Sequence, residues 1–142
     1  MPTRRGDLVR FPVMDAGTRP LRVLVADAQK VTRDALAAVL RSLPDVEVVG
    51  CAATMEETLR LVRDVSPDVL VVDPWLFGPG GPPACLVAKR LRPGMVVVAL
   101  VPDAWEEYPR AARAVGVDAW VPKDSAGRDL PSVLRAAASS PR

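Results

Sequence analysis

The chain has 142 residues and a mass of 15.2 kDa, with 49% hydrophobic and 25% charged side chains. That is one domain with a core of its own, which excludes intrinsic disorder, a multidomain enzyme and a receptor bearing its own output module. There is no histidine, which removes Ser–His–Asp hydrolases, Cys–His proteases and His-ligated zinc; the formal net charge of +2 lies within residues 1–20, leaving a neutral remainder without a nucleic-acid footprint.

Residues 1–20 carry Arg4, Arg5, Arg10 and Arg19 against Asp7 and Asp15, with no continuous apolar stretch. They read as a flexible N-terminal extension and not as a signal peptide, with the folded domain over 21–142. Leu21–Ala26 is a short apolar run ending at Asp27. Val31, Ala35, Leu36, Val39, Leu40 and Leu43 then recur at helical spacing on one face, and Pro44-Asp45 breaks the pattern. Val46–Cys51 is β-branched and strand-like. Thr54 followed by Glu57 forms a capping box, opening a helix with the stripe Met55, Leu59, Val62 and Val65; Ser66-Pro67 ends it.

Val69–Val72 is a wholly apolar strand ending at Asp73. A Gly/Pro-rich loop follows (78–83), then a helix over 83–91 with proline in its first turn, and the turn Arg92-Pro93-Gly94. The loop is no phosphate cradle, because it lacks the Lys-Ser/Thr of a P-loop and does not follow the first strand. Met95–Val101 is the third apolar run, and Ala104–Val115 a helix with Tyr108, Ala111, Ala112 and Val115 inward, ended by Gly116. Ala119–Val121 is a short strand before Pro122-Lys123. Pro131 is unfavourable deep in a helix, so the last helix is expected from about Leu130 with Asp129 as N-cap, and Val133, Leu134 and Ala137 inward. Cys51 and Cys85 lie among apolar neighbours and read as small buried hydrophobes in a reducing compartment. No apolar run has the length of a membrane span.

Five βα units of this kind make an α/β domain with a parallel sheet covered on both faces, in three layers. Ligands of such sheets bind outside the carboxyl ends of the strands. The groups at those ends are Asp27, Asp73, Val101 and Lys123, so two carboxylates and a lysine converge on one edge. A single such Asp is commonly only a helix cap; three charged groups at three strand ends point to a site.

The segments VLVADAQKVTRDAL (23–36), PDVEVVGCAAT (44–54), SPDVLVVDPWLFGPGG (66–81) and RAVGVDAWVPKD (113–124) resemble, in order and spacing, the receiver domains of bacterial response regulators, the CheY-like flavodoxin-type fold. The resemblance spans about Leu21 to Ala138 and is strongest to the receivers of NarL/FixJ-type (LuxR-like) regulators. It implies the strand order 2-1-3-4-5 and no enzymatic role. It implies Asp73 as the acceptor of a phosphoryl group from a histidine kinase, and Lys123 as the lysine that contacts it. Asp27 would be the first of the acidic pair that holds magnesium with Asp73. Val101 and Trp120 stand at the two switch positions.

The departures from that pattern shape the functional expectation. Ala28 replaces the second acid of the pair, which weakens any magnesium site on Asp27 and Asp73. Val101 replaces the Ser/Thr that follows the phosphoryl group. Phe77 stands where proline is common, Pro74 and Trp75 follow Asp73 directly, and Asp124 takes the place of the proline after the lysine. The expectation is an atypical receiver that regulates transcription through protein contacts, with weak or no standard phosphorylation at Asp73. A working phosphoacceptor is the alternative, and a small flavodoxin-like ligand-binding protein or enzyme a more distant one. Trp75, Phe77, Trp105 and Tyr108 are expected as an apolar lip for a small-molecule ligand or protein partner, against the plainer reading of Trp120 and Tyr108 as core. The expected partner is a histidine kinase or another regulator, contacted through the last helices, with a homodimer as a further expectation, since receivers often pair through the fourth and fifth helices or the first and fifth. The expected compartment is the cytoplasm, with no membrane or direct nucleic-acid contact by this domain.

Overall fold

The structure, a computed structural model, describes residues 19–76, 81–102 and 116–139. The expected helix over 104–115, with Trp105 and Tyr108, lies outside the described residues, as do Phe77 and residues 1–18. The strands are β1 (Leu21–Ala26), β2 (Val46–Ala52), β3 (Val69–Val72), β4 (Val96–Val101) and β5 (Ala119–Pro122). The helices are α1 (Lys30–Arg41), α2 (Met55–Val65), α3 (Gly81–Leu91) and α4 (Ala126–Ser139), the last preceded by a 3-10 turn over Lys123–Ser125. All strand pairs are parallel, in the order β2-β1-β3-β4-β5.

The three central strands β1, β3 and β4 are buried on both faces because they are nearly continuous apolar runs, and the two-residue period sends alternate side chains to opposite layers. Val23, Val25, Val69, Val71, Val98, Leu100 and Val121 pack with Leu36 and Leu40 of α1 and Leu130 and Leu134 of α4. Leu24, Leu70, Val72, Val97, Ala99 and Val101 pack on the other face with Val62 of α2 and Cys85 and Ala88 of α3. Burial pushes the Cys85 thiol up to about 12, so this sulfur is a packed hydrophobe. Cys51 is partly buried against the first layer.

One register shift interrupts the β1–β2 pairing, so that Val23 faces Val48 while Leu24 faces Gly50. A Cβ at Gly50 would stand 3.3 Å from Leu24 Cδ1 and 3.4 Å from Leu61 Cδ1, so a methyl group there would press on both leucine side chains. Gly116 adopts φ 91°, a conformation that disfavours other residues, just before the chain enters β5.

Thr54 caps α2 as its sequence indicates. Its Oγ1 accepts from the Glu57 N–H at 3.1 Å, and the Glu57 carboxylate accepts from the Ala53 N–H at 2.7 Å. The reciprocal bond thus goes to the residue before the cap. Thr54→Ala is expected to cost about 1 kcal/mol in urea unfolding, because it strips one donor of its partner.

Two local expectations are corrected. In α1 the buried residues are Leu36, Ala37 and Leu40, whereas Ala35 is exposed and Val31 is 82% exposed. Leu36 and Leu40 keep their expected inward places and Val39 and Leu43 are partly buried, while Ala37 takes the inward place expected of Ala35. In α4, Pro131 sits inside the helix, which starts at Ala126. Asp129 is therefore not its N-cap; its carboxylate instead accepts from the Ser125 hydroxyl at 2.6 Å. The loss of one backbone bond is offset by burying Ala126, Leu130 and Leu134 against the sheet, each large side chain contributing about 2 kcal/mol.

At the amino edge of the sheet, Asp68 is 6% exposed and gathers basic groups. The Arg19 guanidinium donates to both its oxygens, at 2.8 and 3.0 Å, and the Arg22 N–H donates at 2.9 Å. Arg19, expected within the flexible extension, is thus bound to the entry of β3.

Candidate functional site

β1 and β3 are neighbours and end level with one another, so Asp27 and Asp73 emerge side by side at the carboxyl edge. Their backbones are tied in by the ladder: the Asp27 N–H donates to the Ala52 carbonyl and the Asp73 N–H to the Ala26 carbonyl, each at 3.0 Å. Lys123 enters from the end of β5. Its Nζ lies 2.6 Å from Asp73 Oδ2 and 3.0 Å from Asp27 Oδ2. All three charged groups expected from the sequence are therefore in direct contact.

Their surroundings differ. The Asp27 side chain is fully buried; Asp73 and Lys123 keep about a fifth of their surface exposed, at 19% and 21%. Asp27 Oδ1 accepts from the Gln29 N–H at 2.8 Å. Asp27 Oδ2 meets the ammonium at an angle that makes an ion pair but no hydrogen bond, and it has no other partner among the described residues. Asp73 is satisfied at both oxygens, with the Trp75 N–H donating to Oδ1 at 2.9 Å and Lys123 to Oδ2. Burial pulls the Lys123 ammonium towards its neutral form, but the hydrogen bond to Asp73 and the negative charges of Asp73 and Asp27 outweigh it, and its pKa stands above the ordinary lysine value.

Arg33 is a member of the site that the sequence reading missed. Its guanidinium donates to the Asp27 backbone carbonyl at 2.7 Å, pinning the loop between β1 and α1. Its place in the first turn after Asp27 was the available signal. Ala28 and Gln29 are exposed at this loop.

Val101, 2% exposed, packs in the apolar layer that Trp120 covers from β5, and those strands put Ala99 opposite Trp120. Position 101 therefore presents a hydrocarbon side chain within the core. Beside the charged cluster lies an open cleft of about 220 Å³ lined by Asp73, Trp75, Leu100, Pro102 and Lys123. Trp75, 42% exposed, is its aromatic wall; Trp120 is half-buried as core, and the other three aromatic residues of the expected lip lie outside the described residues.

Magnesium is the ion that such an edge implies, so the donor set matters. Asp27 and Asp73 supply two carboxylates, both held by Lys123, and the three groups sum to a formal −1. Position 28 adds no oxygen. Among the described residues no group of three or more His, Cys, Asp or Glu could hold a metal ion. Asp27 and Asp73 are the residues that would hold such an ion with water, and both carboxylates are engaged by Lys123.

A doubly covered sheet in the order 2-1-3-4-5, with two aspartates and a lysine meeting at its carboxyl edge, defines a CheY-like receiver. No protein-family model matches the chain. Response regulator GacA of Pseudomonas viridiflava is 28% identical over 115 residues, 81% of this chain and 54% of that protein. The transcriptional regulatory protein LiaR of Bacillus subtilis is 32% identical over 119 residues, 82% of this chain and 56% of that protein. Among solved structures, a LuxR-family two-component response regulator from Aurantimonas superposes with a TM-score of 0.78 at 24% identity, covering 87% of this chain and 88% of that one. The chain carries a response-regulator receiver domain, the module of two-component signalling, and it spans about half the length of the curated regulators it matches. Matches to protein-glutamate methylesterases span 24% of those proteins or less and carry no enzymatic assignment to this chain. No helix among the described residues is long and apolar enough to cross a membrane.

Proposed function

We propose that this domain is an atypical receiver that regulates transcription through protein–protein contacts in the cytoplasm, with weak or no standard magnesium-dependent phosphorylation at Asp73. The observation that carries this reading is the engagement of both Asp73 oxygens, one by Lys123 and one by the Trp75 N–H, in a pocket where Ala28 supplies no acid. Phosphoryl transfer to a carboxylate needs positive charge to offset repulsion between two anions, and a divalent cation supplies most of it. Here the lysine is already committed to two carboxylates. Val101 has no hydroxyl with which to follow a phosphoryl group.

Acetyl phosphate with magnesium, followed by intact mass, tests the reading. The expected result is an unmodified chain under conditions that label an ordinary receiver fully; stoichiometric addition lost in Asp73→Ala would overturn it. That second outcome is the working phosphoacceptor, which has one observation in its favour: Asp73 and Lys123 line an open cleft. The partner on this reading is a histidine kinase or another regulator, with a homodimer and a small ligand at the Trp75 wall as further modes of control.

A further inference from the structure

The acid–lysine cluster keeps one negative charge that its own residues leave unbalanced. Lys123 offsets one of the two carboxylates, and Ala28 adds no charged group. The Asp27 carboxylate is fully buried beside the ammonium, and its Oδ2 accepts no hydrogen bond among the described residues. A charge so placed is poorly screened by water and acts strongly on its surroundings. Those surroundings include the cleft of about 220 Å³ lined by Asp73, Trp75, Leu100, Pro102 and Lys123. Asp73 faces it directly, and each of its two bonded oxygens has a second lone pair to offer.

The cleft sets the chemistry of its occupant. The residual charge matches one monovalent cation, whereas a divalent ion would overshoot. Trp75 is 42% exposed and supplies indole, the best aromatic partner of a cation. Leu100 and Pro102 make the rest of the lining apolar, which favours a cation that sheds its water easily. Of the cationic side chains, guanidinium is the more weakly hydrated, stacks flat on aromatic rings and forks its donors onto a carboxylate. The volume lies below the roughly 300–1,000 Å³ of pockets that enclose a drug-sized ligand, and it suits a single side chain. Val31 and Met55 are exposed in the first turns of α1 and α2 at the same carboxyl edge, so the edge also offers apolar surface to a protein.

We propose that the cleft takes an arginine side chain of a partner protein, with its guanidinium stacked on Trp75 and hydrogen-bonded to Asp73. The inference rests on the atypical-receiver reading above and names the group by which such a receiver holds its partner. The charge that the absent acid at position 28 leaves at −1 is then brought to neutrality by the partner.

Titration of the isotope-labelled full chain with the blocked peptide acetyl-Gly-Arg-Gly-amide, read by the nuclear magnetic resonance signals of Trp75, tests this. The expected result is saturable shifts with a dissociation constant in the millimolar range, at least about tenfold tighter than for the uncharged citrulline peptide of the same shape. Trp75→Leu, read at the Lys123 amide, should weaken binding about two- to fivefold, and Asp73→Asn about tenfold. No saturation by the arginine peptide, equal binding of the citrulline peptide, or an affinity that survives Asp73→Asn would overturn the proposal. Saturation by free arginine with none by the peptide would also overturn it, by making a small metabolite the occupant. Acetyl phosphate labelling of the same sample separates the two readings. Stoichiometric labelling overturns the proposed function and this inference with it, whereas an unlabelled chain that ignores the peptide overturns this inference alone.

Discussion

Lys123→Met is expected to destabilise the domain by about 3 kcal/mol at neutral pH, lowering the melting temperature by roughly 10 °C. The substitution keeps most of the side-chain volume and removes only the charge. What remains is a fully buried Asp27 carboxylate beside Asp73, with Oδ2 of Asp27 already lacking a hydrogen bond. A buried charge stripped of its partner is among the few single changes of this size. The double variant Asp27→Asn/Lys123→Met removes the stranded charge and should regain a substantial part of the loss; equal stability of the single and double variants would show that the cluster is not coupled. The pH dependence follows from the direction of the lysine shift. A group whose pKa is raised on folding stabilises the fold fully below its unfolded value, here 10.5, and loses that contribution as pH climbs through the higher folded value. Wild-type stability should therefore decline on the alkaline side above about pH 10.5, and Lys123→Met should lack this component.

Ala28→Asp is expected to raise magnesium affinity by about ten- to a hundredfold, and with Val101→Thr to produce acetyl phosphate labelling at Asp73. Position 28 is exposed, so the new carboxylate incurs little desolvation. It takes the formal charge of the site from −1 to −2, which a divalent cation balances. Val101→Thr puts a hydroxyl in a position that is 2% exposed and should cost about 1–2 kcal/mol in the unphosphorylated state. Quenching of Trp75 fluorescence, adjacent to the cleft, reports the metal; intact mass reports the phosphoryl group. If Ala28→Asp leaves magnesium affinity unchanged, the missing acid does not explain weak phosphorylation, and the Asp73–Trp75 turn becomes the cause to examine.

The α1 face shows where sequence patterning stops. Ala35, Ala37 and Ala38 are equally apolar on paper, and only the seat of α1 on β2 decides that Ala37 is buried and Ala35 exposed. Pro131 shows the same limit differently. Its local cost is real, but Ala126 and Leu130 bury against the sheet, and that tertiary gain carries the helix through the proline. The capping box of α2 needed no such help, because both its partners lie within four residues.

The sequence by itself determined the five apolar runs, the alternation that covers the sheet on both sides, and the placement of Asp27, Asp73 and Lys123 at strand ends. These follow from periodicity and burial, which are local properties of a chain. It also showed the absent groups at 28 and 101, since a missing carboxylate or hydroxyl is visible in any list of residues. Only the tertiary structure decided that Lys123 sits on both carboxylates, that Asp27 is fully buried while Asp73 faces a cleft, and that Arg33 and Arg19 fasten the two edges. Those contacts join residues fifty or more positions apart in the case of Lys123 and its two carboxylates, and their distances depend on side-chain rotamers and loop conformation that no spacing rule encodes.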